Sequence, residues 1–202
     1  MEPFGTVRAR AIPLAIPNID TDRIKPARFG LPSDVSYAPF MLYDLRFDEQ
    51  GQSRDSVFEQ AAYAGAQILV ADDNFGCGSS RESAVWCLRD YGFRVVIAPS
   101  FGDIFFGNCF KKGILPIVLP PDVVATLRTA LTESPGAEVV VELESQTVQA
   151  PGGDMHGFTI DAFRKACLGS GVDDFEMTAR HASAIDDYEA TTPAWITGPI
   201  ER

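Results

Sequence analysis

Residues 66–71 read Ala-Gln-Ile-Leu-Val-Ala, a nearly unbroken apolar run between a glycine and two aspartates. A run that short suits a strand buried on both faces. From Arg81 to Tyr91, Ala84, Leu88 and Tyr91 recur at helical spacing until Gly92 stops the pattern. Arg94 to Ala98 is a second buried strand, ended by Pro99, and Leu115 to Leu119 is a third. Between these two, Phe101 to Lys112 predicts a helix with Ile104, Phe105 and Cys109 turned inward and Gly113 closing it. Pro121 suits the first turn of a further helix reaching about Leu131. Strand and helix thus alternate three times, which predicts a parallel sheet with right-handed crossovers.

Beyond residue 137 the period changes to two. Glu138–Leu143 and Thr147–Ala150 predict a hairpin, and Gly157–Ile160 a further strand. Asp161 is a good N-cap for a helix through Leu168, ended by Gly169. From Asp173 to about Ala190 the pattern is that of an amphipathic helical tail. The N-terminal third differs from all of this. Pro13, Pro17, Pro26, Pro32 and Pro39, with the turn-forming Asn18-Ile19-Asp20-Thr21-Asp22, leave room for a short strand at Gly5–Pro13 but for no long helix before residue 40. The expectation is one α/β domain over residues 1–202, with a parallel sheet core, a β-rich part and a helical tail from about residue 173.

Charge narrows the partners. With 28 acidic and 17 basic residues the net charge is -11, which opposes nucleic acid and anionic membranes as partners. A small anionic substrate would need a local basic pocket, so a well-placed arginine matters. No apolar run approaches the roughly 20 residues of a membrane span, and Met1-Glu2-Pro3-Phe4-Gly5 lacks a secretory pattern, so a cytoplasmic location is expected. Cys77, Cys87, Cys109 and Cys167 are far apart, with only His156 and His181 to help them. That supply is poor for a zinc or self-contained iron–sulfur site, and predicts reduced, mostly buried thiols.

The chemistry concentrates in Asn74-Phe75-Gly76-Cys77-Gly78-Ser79-Ser80-Arg81-Glu82, between the first buried strand and its helix. Ligands of open parallel sheets bind at such strand ends, where helix N–H groups favour an anion. Two glycines, two hydroxyls and a guanidinium there would make a compact carboxylate receptor. A purely structural alternative is a capping box, with Ser79 as N-cap and Glu82 reaching back. That accounts for one serine and the glutamate, but not for two glycines, a second serine and an arginine together. A dinucleotide fingerprint fails, because Arg81 stands where a third glycine or alanine belongs and Ala98-Pro99-Ser100 brings no acid. A phosphate-binding Walker loop fails for want of Gly-Lys-Ser/Thr.

The same loop, taken with Asp90–Phe101, Asn18–Asp22, Phe158–Arg164 and the ending around Ile185 to Trp195, resembles the small-subunit family of the 3-isopropylmalate dehydratases. The likeness covers nearly the whole chain, and its Gly-Ser-Ser-Arg-Glu motif is specific to the aconitase superfamily. The resemblance implies a swivelling β/β/α domain of three layers. It implies a heteromeric hydro-lyase of leucine biosynthesis that interconverts 2- and 3-isopropylmalate, with a four-iron four-sulfur cluster on a separate large subunit. By the same resemblance Ser79 removes the proton from carbon, Ser80 and Arg81 hold a substrate carboxylate, and the cluster's open iron acts on the departing hydroxyl. Asp22 matches an acid of the family's Thr-Asp motif, with a turn-forming aspartate as the alternative. Specificity is attributed to the following loop, Arg23 to about Asp34, and here this chain departs from the pattern. Pro26 is followed by Ala27 rather than lysine, with Lys25 and Arg28 nearby, and Glu82 is followed by Ser83-Ala84-Val85 rather than His-Ala-Pro. Arg28 is either a second contact to the substrate or a surface arginine. These departures leave methylmalate, dimethylmalate and homocitrate or homoaconitate types open beside isopropylmalate. A rival of another class is a non-catalytic carboxylate-binding subunit on the same fold.

Overall fold

The computed structural model describes residues 1–30, 35–78 and 81–193. Its strands are β1 (Thr6–Pro13), β2 (Ile68–Val70), β3 (Val95–Ala98), β4 (Leu115–Val118), β5 (Glu138–Glu142), β6 (Thr147–Gln149) and β7 (Met155–Gly157). Its helices are α1 (Thr21–Ile24), α2 (Tyr43–Arg46), α3 (Glu82–Tyr91), α4 (Asp103–Lys111), α5 (Pro121–Glu133), α6 (Ala162–Ser170), α7 (Asp174–Ala179) and α8 (Ala182–Thr191). The strands form one sheet in the order β4-β3-β2-β1-β5-β6-β7.

β1 joins two kinds of pairing. Its first half, Thr6 to Arg10, runs antiparallel to β5, and its end, Ala11 to Pro13, runs parallel to β2. The antiparallel half shows the alternation of a strand with one wet face, with Val7 and Ala9 buried and their neighbours exposed. β2 and β3 are buried at every position, as their unbroken apolar runs predict. Leu69 and Val96 face one core, with Ala84 and Leu88 of α3 and Phe105 and Cys109 of α4. Ile68, Val70, Val95 and Ile97 face the other, with Val124, Leu127 and Leu131 of α5. Each layer of this three-layer α/β fold is thus supplied by alternate residues of the same strands. The β-rich part is no separate insertion, because β5 pairs directly with β1 and extends the same sheet.

Several element ends differ from the sequence expectation. α4 starts at Asp103, because Phe101 is still bridged to Phe75, and the helix then turns Ile104 outward to 55% exposure while Phe105 and Cys109 go in. α6 runs through Gly169 and stops at Gly171, whose left-handed backbone bonds back to Cys167 and Leu168. The third strand of the β-rich part lies at Met155–Gly157, earlier than expected. The tail is two helices, α7 and α8, broken at Arg180–His181, and α8 buries no residue. Asp173 and Glu176 form a reciprocal capping box on α7. Trp195 lies outside the described residues.

The proline-rich N-terminal third contains no described helix longer than one turn and wraps across α3. Its backbone N–H at Tyr37 donates to Asp90 (2.8 Å), and Tyr91 donates to the Phe58 carbonyl (3.2 Å). None of the four cysteines is in a disulfide; Cys87 and Cys109 are buried, whereas Cys77 and Cys167 are partly exposed. Burial pushes the Cys87 thiol up to about 12 and raises that of Cys109 as well. Alkylation of the native chain at pH 8 is therefore expected at Cys77 and Cys167 only, with Cys87 and Cys109 modified after unfolding; peptide mass spectrometry reads the difference.

Gly76 sits where the loop after β2 meets α4. Its φ is +72°, and a Cβ there would lie 2.2 Å from Cγ of Phe105. Gly65 has a similar φ of +73° but open space around it. Gly76→Ala is expected to cost about 3 kcal/mol, combining backbone strain with overpacking, against about 1 kcal/mol for Gly65→Ala. Urea midpoints of the two variants check this, and equal shifts would mean that Phe105 gives way freely.

Candidate active site

The segment that leaves β2 does not become a free loop. It stays hydrogen-bonded to the continuations of both neighbouring strands. On one side Asn18 N–H donates to Asp73 (2.9 Å), Gly76 N–H to Ile19 (2.7 Å) and Thr21 N–H to Cys77 (3.0 Å). On the other, Phe75 N–H donates to Ser100 (3.1 Å) and Gly102 N–H to Phe75 (3.0 Å). Side chains lock the same three threads. The Ser100 hydroxyl donates to Asp73 (2.5 Å) and accepts from the Asn74 N–H (2.9 Å), while the Asn74 amide donates to Asn18 (2.8 Å). Asn18 and Asn74 both take left-handed backbone, with φ of 54° and 56°, a conformation asparagine tolerates.

This clamp brings the two ends of the site together. Asp20 caps α1, accepting from the Arg23 N–H at 2.7 Å. The single turn of α1 then presents Asp22 to Arg81, at 2.5 Å between Oδ1 and Nη1. With side chains 39% and 52% exposed for Arg81 and Asp22 respectively, the pair adds little to stability. Its effect is directional, since it orients the guanidinium at the head of α3.

Arg81 itself is the N-cap residue of α3, in extended backbone and without a side-chain capping bond. The alternative of a capping box with Ser79 as N-cap falls partly outside the described residues. The helix begins at Glu82, whose carboxylate pairs with Lys112 at 2.8 Å. Ser79 and Ser80 lie outside the described residues, between Gly78 and Arg81. Gly78 has φ of +90°, and a Cβ there would touch Asp20 at 3.4 Å, so the turn runs close over the cap of α1.

Beside this turn is a cavity of about 480 Å³, lined by Lys25, Ala27, Gly30, Arg81, Ser83 and Trp86, among others. Trp86 is held edge-on by Tyr37 (5.3 Å between rings), with the Lys112 ammonium over its ring at 5.7 Å. Lys25 is buried, and its ammonium donates to the Gly30 carbonyl. Ser83 and Trp86 are not singled out by the sequence, although their spacing of three places them on one face of the helix that Arg81 opens. Lys25 carries a weak signal, a lysine between Ile24 and Pro26 in a turn whose isoleucine is fully buried.

Of the five sequence-expected site residues, Asp22 and Arg81 are thus in contact. Arg28 is engaged elsewhere. Its guanidinium forks onto Asp44 at 2.5 and 3.1 Å and lies over the rings of Phe29 (4.7 Å) and Tyr43 (5.5 Å). That fork holds the Asp44 carboxyl below its ordinary range. Among the described residues no three histidine, cysteine or acidic side chains come together as a metal site, and no helix is long and apolar enough to cross a membrane. Chemically, the arrangement is a cationic recess at a helix N-terminus with one apolar wall, suited to a small carboxylate.

Comparison with known proteins bears on this geometry. The aconitase C-terminal domain model matches residues 1–122, and a second model, LeuD_N, matches residues 125–162. A 3-isopropylmalate dehydratase small subunit of Rhodospirillum centenum is 48% identical, covering 98% of this chain and 100% of that protein. Its counterpart in Magnetococcus marinus is 46% identical, covering 94% of each. The crystal structure of a 3-isopropylmalate dehydratase from Methanocaldococcus jannaschii superposes with a TM-score of 0.65 at 23% identity, over 90% of this chain and 99% of that one. The last likeness shows the fold alone; the others carry more, and by them the chain belongs to the family of 3-isopropylmalate dehydratase small subunits, built on the aconitase C-terminal domain.

Proposed function

We propose that this chain is the small subunit of a cytoplasmic, heteromeric 3-isopropylmalate dehydratase, a hydro-lyase of leucine biosynthesis. The whole chain serves as one swivel domain, and it acts only with a large subunit that holds a four-iron four-sulfur cluster. The observation that carries the reading is Arg81 at the head of α3, oriented by Asp22 beside the Gly76–Gly78 turn.

Arg81 offers a planar fork to a substrate carboxylate, and Asp22 keeps that fork from swinging away. Ser80 adds a hydroxyl to the same carboxylate. Ser79 takes the proton from carbon. A serine hydroxyl is a poor base in water, so it serves only where its alkoxide is stabilised by the first N–H groups of α3, by the nearby guanidinium and by exclusion of solvent. The cluster, when bound on the partner, supplies a Lewis acid for the departing hydroxyl. This chain's described residues offer it no ligand set of their own; the chain's part is to bind, orient and deprotonate.

Expressed alone, the chain is expected to be inactive. Combined with a large subunit bearing cluster cysteines, it should dehydrate isopropylmalate, followed by the absorbance of the alkene product. In that pair Ser79→Ala is expected to lower turnover by about 100-fold or more with little change in KM. Arg81→Lys should raise KM by about tenfold, through loss of the fork. Asp22→Asn should cost no more than about fivefold, as befits an exposed ion pair. Full activity in Ser79→Ala would remove that residue from the chemistry, and preference for methylmalate or homocitrate over isopropylmalate in a side-by-side panel would reassign the substrate.

A further inference from the structure

We propose that Lys25 is a second carboxylate-binding cation of the same cavity, holding the substrate carboxylate that Arg81 does not. The proposal deepens the dehydratase reading and rests on it.

A lysine normally reaches for water with its ammonium even where its stem is covered. Lys25 does not; the whole residue is only 2% exposed. Its ammonium has three donors, and among the described residues it donates to one acceptor, the Gly30 carbonyl. Among the described residues no carboxylate stands within ion-pair distance of it. The acid nearest in the cavity lining, Glu82, is taken by Lys112 at 2.8 Å. A buried charge without a counter-charge is costly, and proteins ordinarily pair it. What the described residues do not supply here, an anionic ligand would.

The position suits a diacid. Asp22 and Lys25 are three residues apart, Asp22 within the single turn of α1 and Lys25 its C-cap. One short segment thus supplies both, Asp22 exposed and Lys25 buried. One steers Arg81, and the other enters the cavity that Arg81 lines. A hydroxy diacid brings two negative charges, and Arg81 and Lys25 together match them in a chain whose net charge of -11 would otherwise repel the ligand. Trp86 and Ala27 complete the cavity with an apolar wall for a branched alkyl group. Because the Lys25 ammonium is tied to Gly30, occupancy of this subsite also bears on the backbone of residues 26–30.

The test uses the reconstituted pair of subunits. Lys25→Met keeps the stem and removes the charge, and Lys25→Arg keeps the charge. Thermal melting checks that both variants fold. KM for isopropylmalate is expected to rise about 10- to 100-fold in Lys25→Met, the size of a lost charge-assisted hydrogen bond, and to recover in part in Lys25→Arg. With the two monoesters of the substrate, one should lose its sensitivity to Lys25→Met while the other keeps it. A role confined to stapling the 26–30 segment would instead weaken all three alike, and would overturn the proposal. Calorimetric titration with isopropylsuccinate, which lacks the hydroxyl and cannot react, separates this subsite from the reaction. Tight binding by the unaltered pair that is lost in Lys25→Met supports the subsite even if no hydroxy diacid is turned over. Equal binding by both, or none by the unaltered pair, overturns it, whereas isopropylmalate turnover would leave the dehydratase reading standing.

Discussion

The central constraint is that β2 lies between β1 and β3, all three parallel, so that the chain emerging from β2 has a neighbour on each side. Backbone hydrogen bonds persist beyond the strand ends, from Asn18–Thr21 on one flank and Ser100–Gly102 on the other. A loop held on both edges has no freedom to drift. Everything chemical in the molecule depends on that restraint, because Arg81, Asp22 and Lys25 come from segments that only this pairing brings together. The close approach of Gly76 to Phe105 is the packing side of the same clamp.

Electrostatics works at two ranges. At long range the chain is strongly acidic. At short range the head of α3 gathers a guanidinium, a buried ammonium and the positive end of a helix around one recess. The acids closest to that recess are already occupied, Glu82 by Lys112 and Asp22 by Arg81. Local pairing of this kind lets an acidic protein present a cationic pocket without a basic surface. The exposed ion pairs contribute little to stability; their value lies in where they point the groups that are left to bind.

How much was legible in the sequence varies with the physical origin of each feature. β2 and β3, buried on both faces, carry continuous apolar runs at Ile68–Val70 and Val95–Ala98, and the edge strand β4 is nearly as plain, with only Val118 of Leu115–Val118 exposed. The Asp161 cap of α6 is equally local and equally readable. Helix starts were less so. Ser79, the alternative N-cap of a capping box, lies outside the described residues; α3 begins at Glu82 with Arg81 as N-cap, and Lys112, just past α4, pairs with the Glu82 carboxylate. Ile104 has the spacing of a core residue, but the bridge between Phe75 and Phe101 delays α4 and rotates it outward. For Ile104 a partner distant in the chain outweighed a local preference.

The order of short-range patterns along this chain was enough to determine an alternating α/β core, a β-rich continuation, a loop-dominated N-terminal third and a glycine-lined turn carrying Arg81. Those features are written in periods of two and 3.6 residues and in backbone preferences, which act over a few positions. Tertiary structure alone decided that β1 would stitch the parallel and antiparallel parts into one sheet, that Asp22 would pair with Arg81, that Arg28 would be spent on Asp44, and that Lys25 would be buried beside Trp86. Such outcomes depend on contacts between residues tens of positions apart, and no local pattern specifies which of several suitable partners the fold will bring within reach.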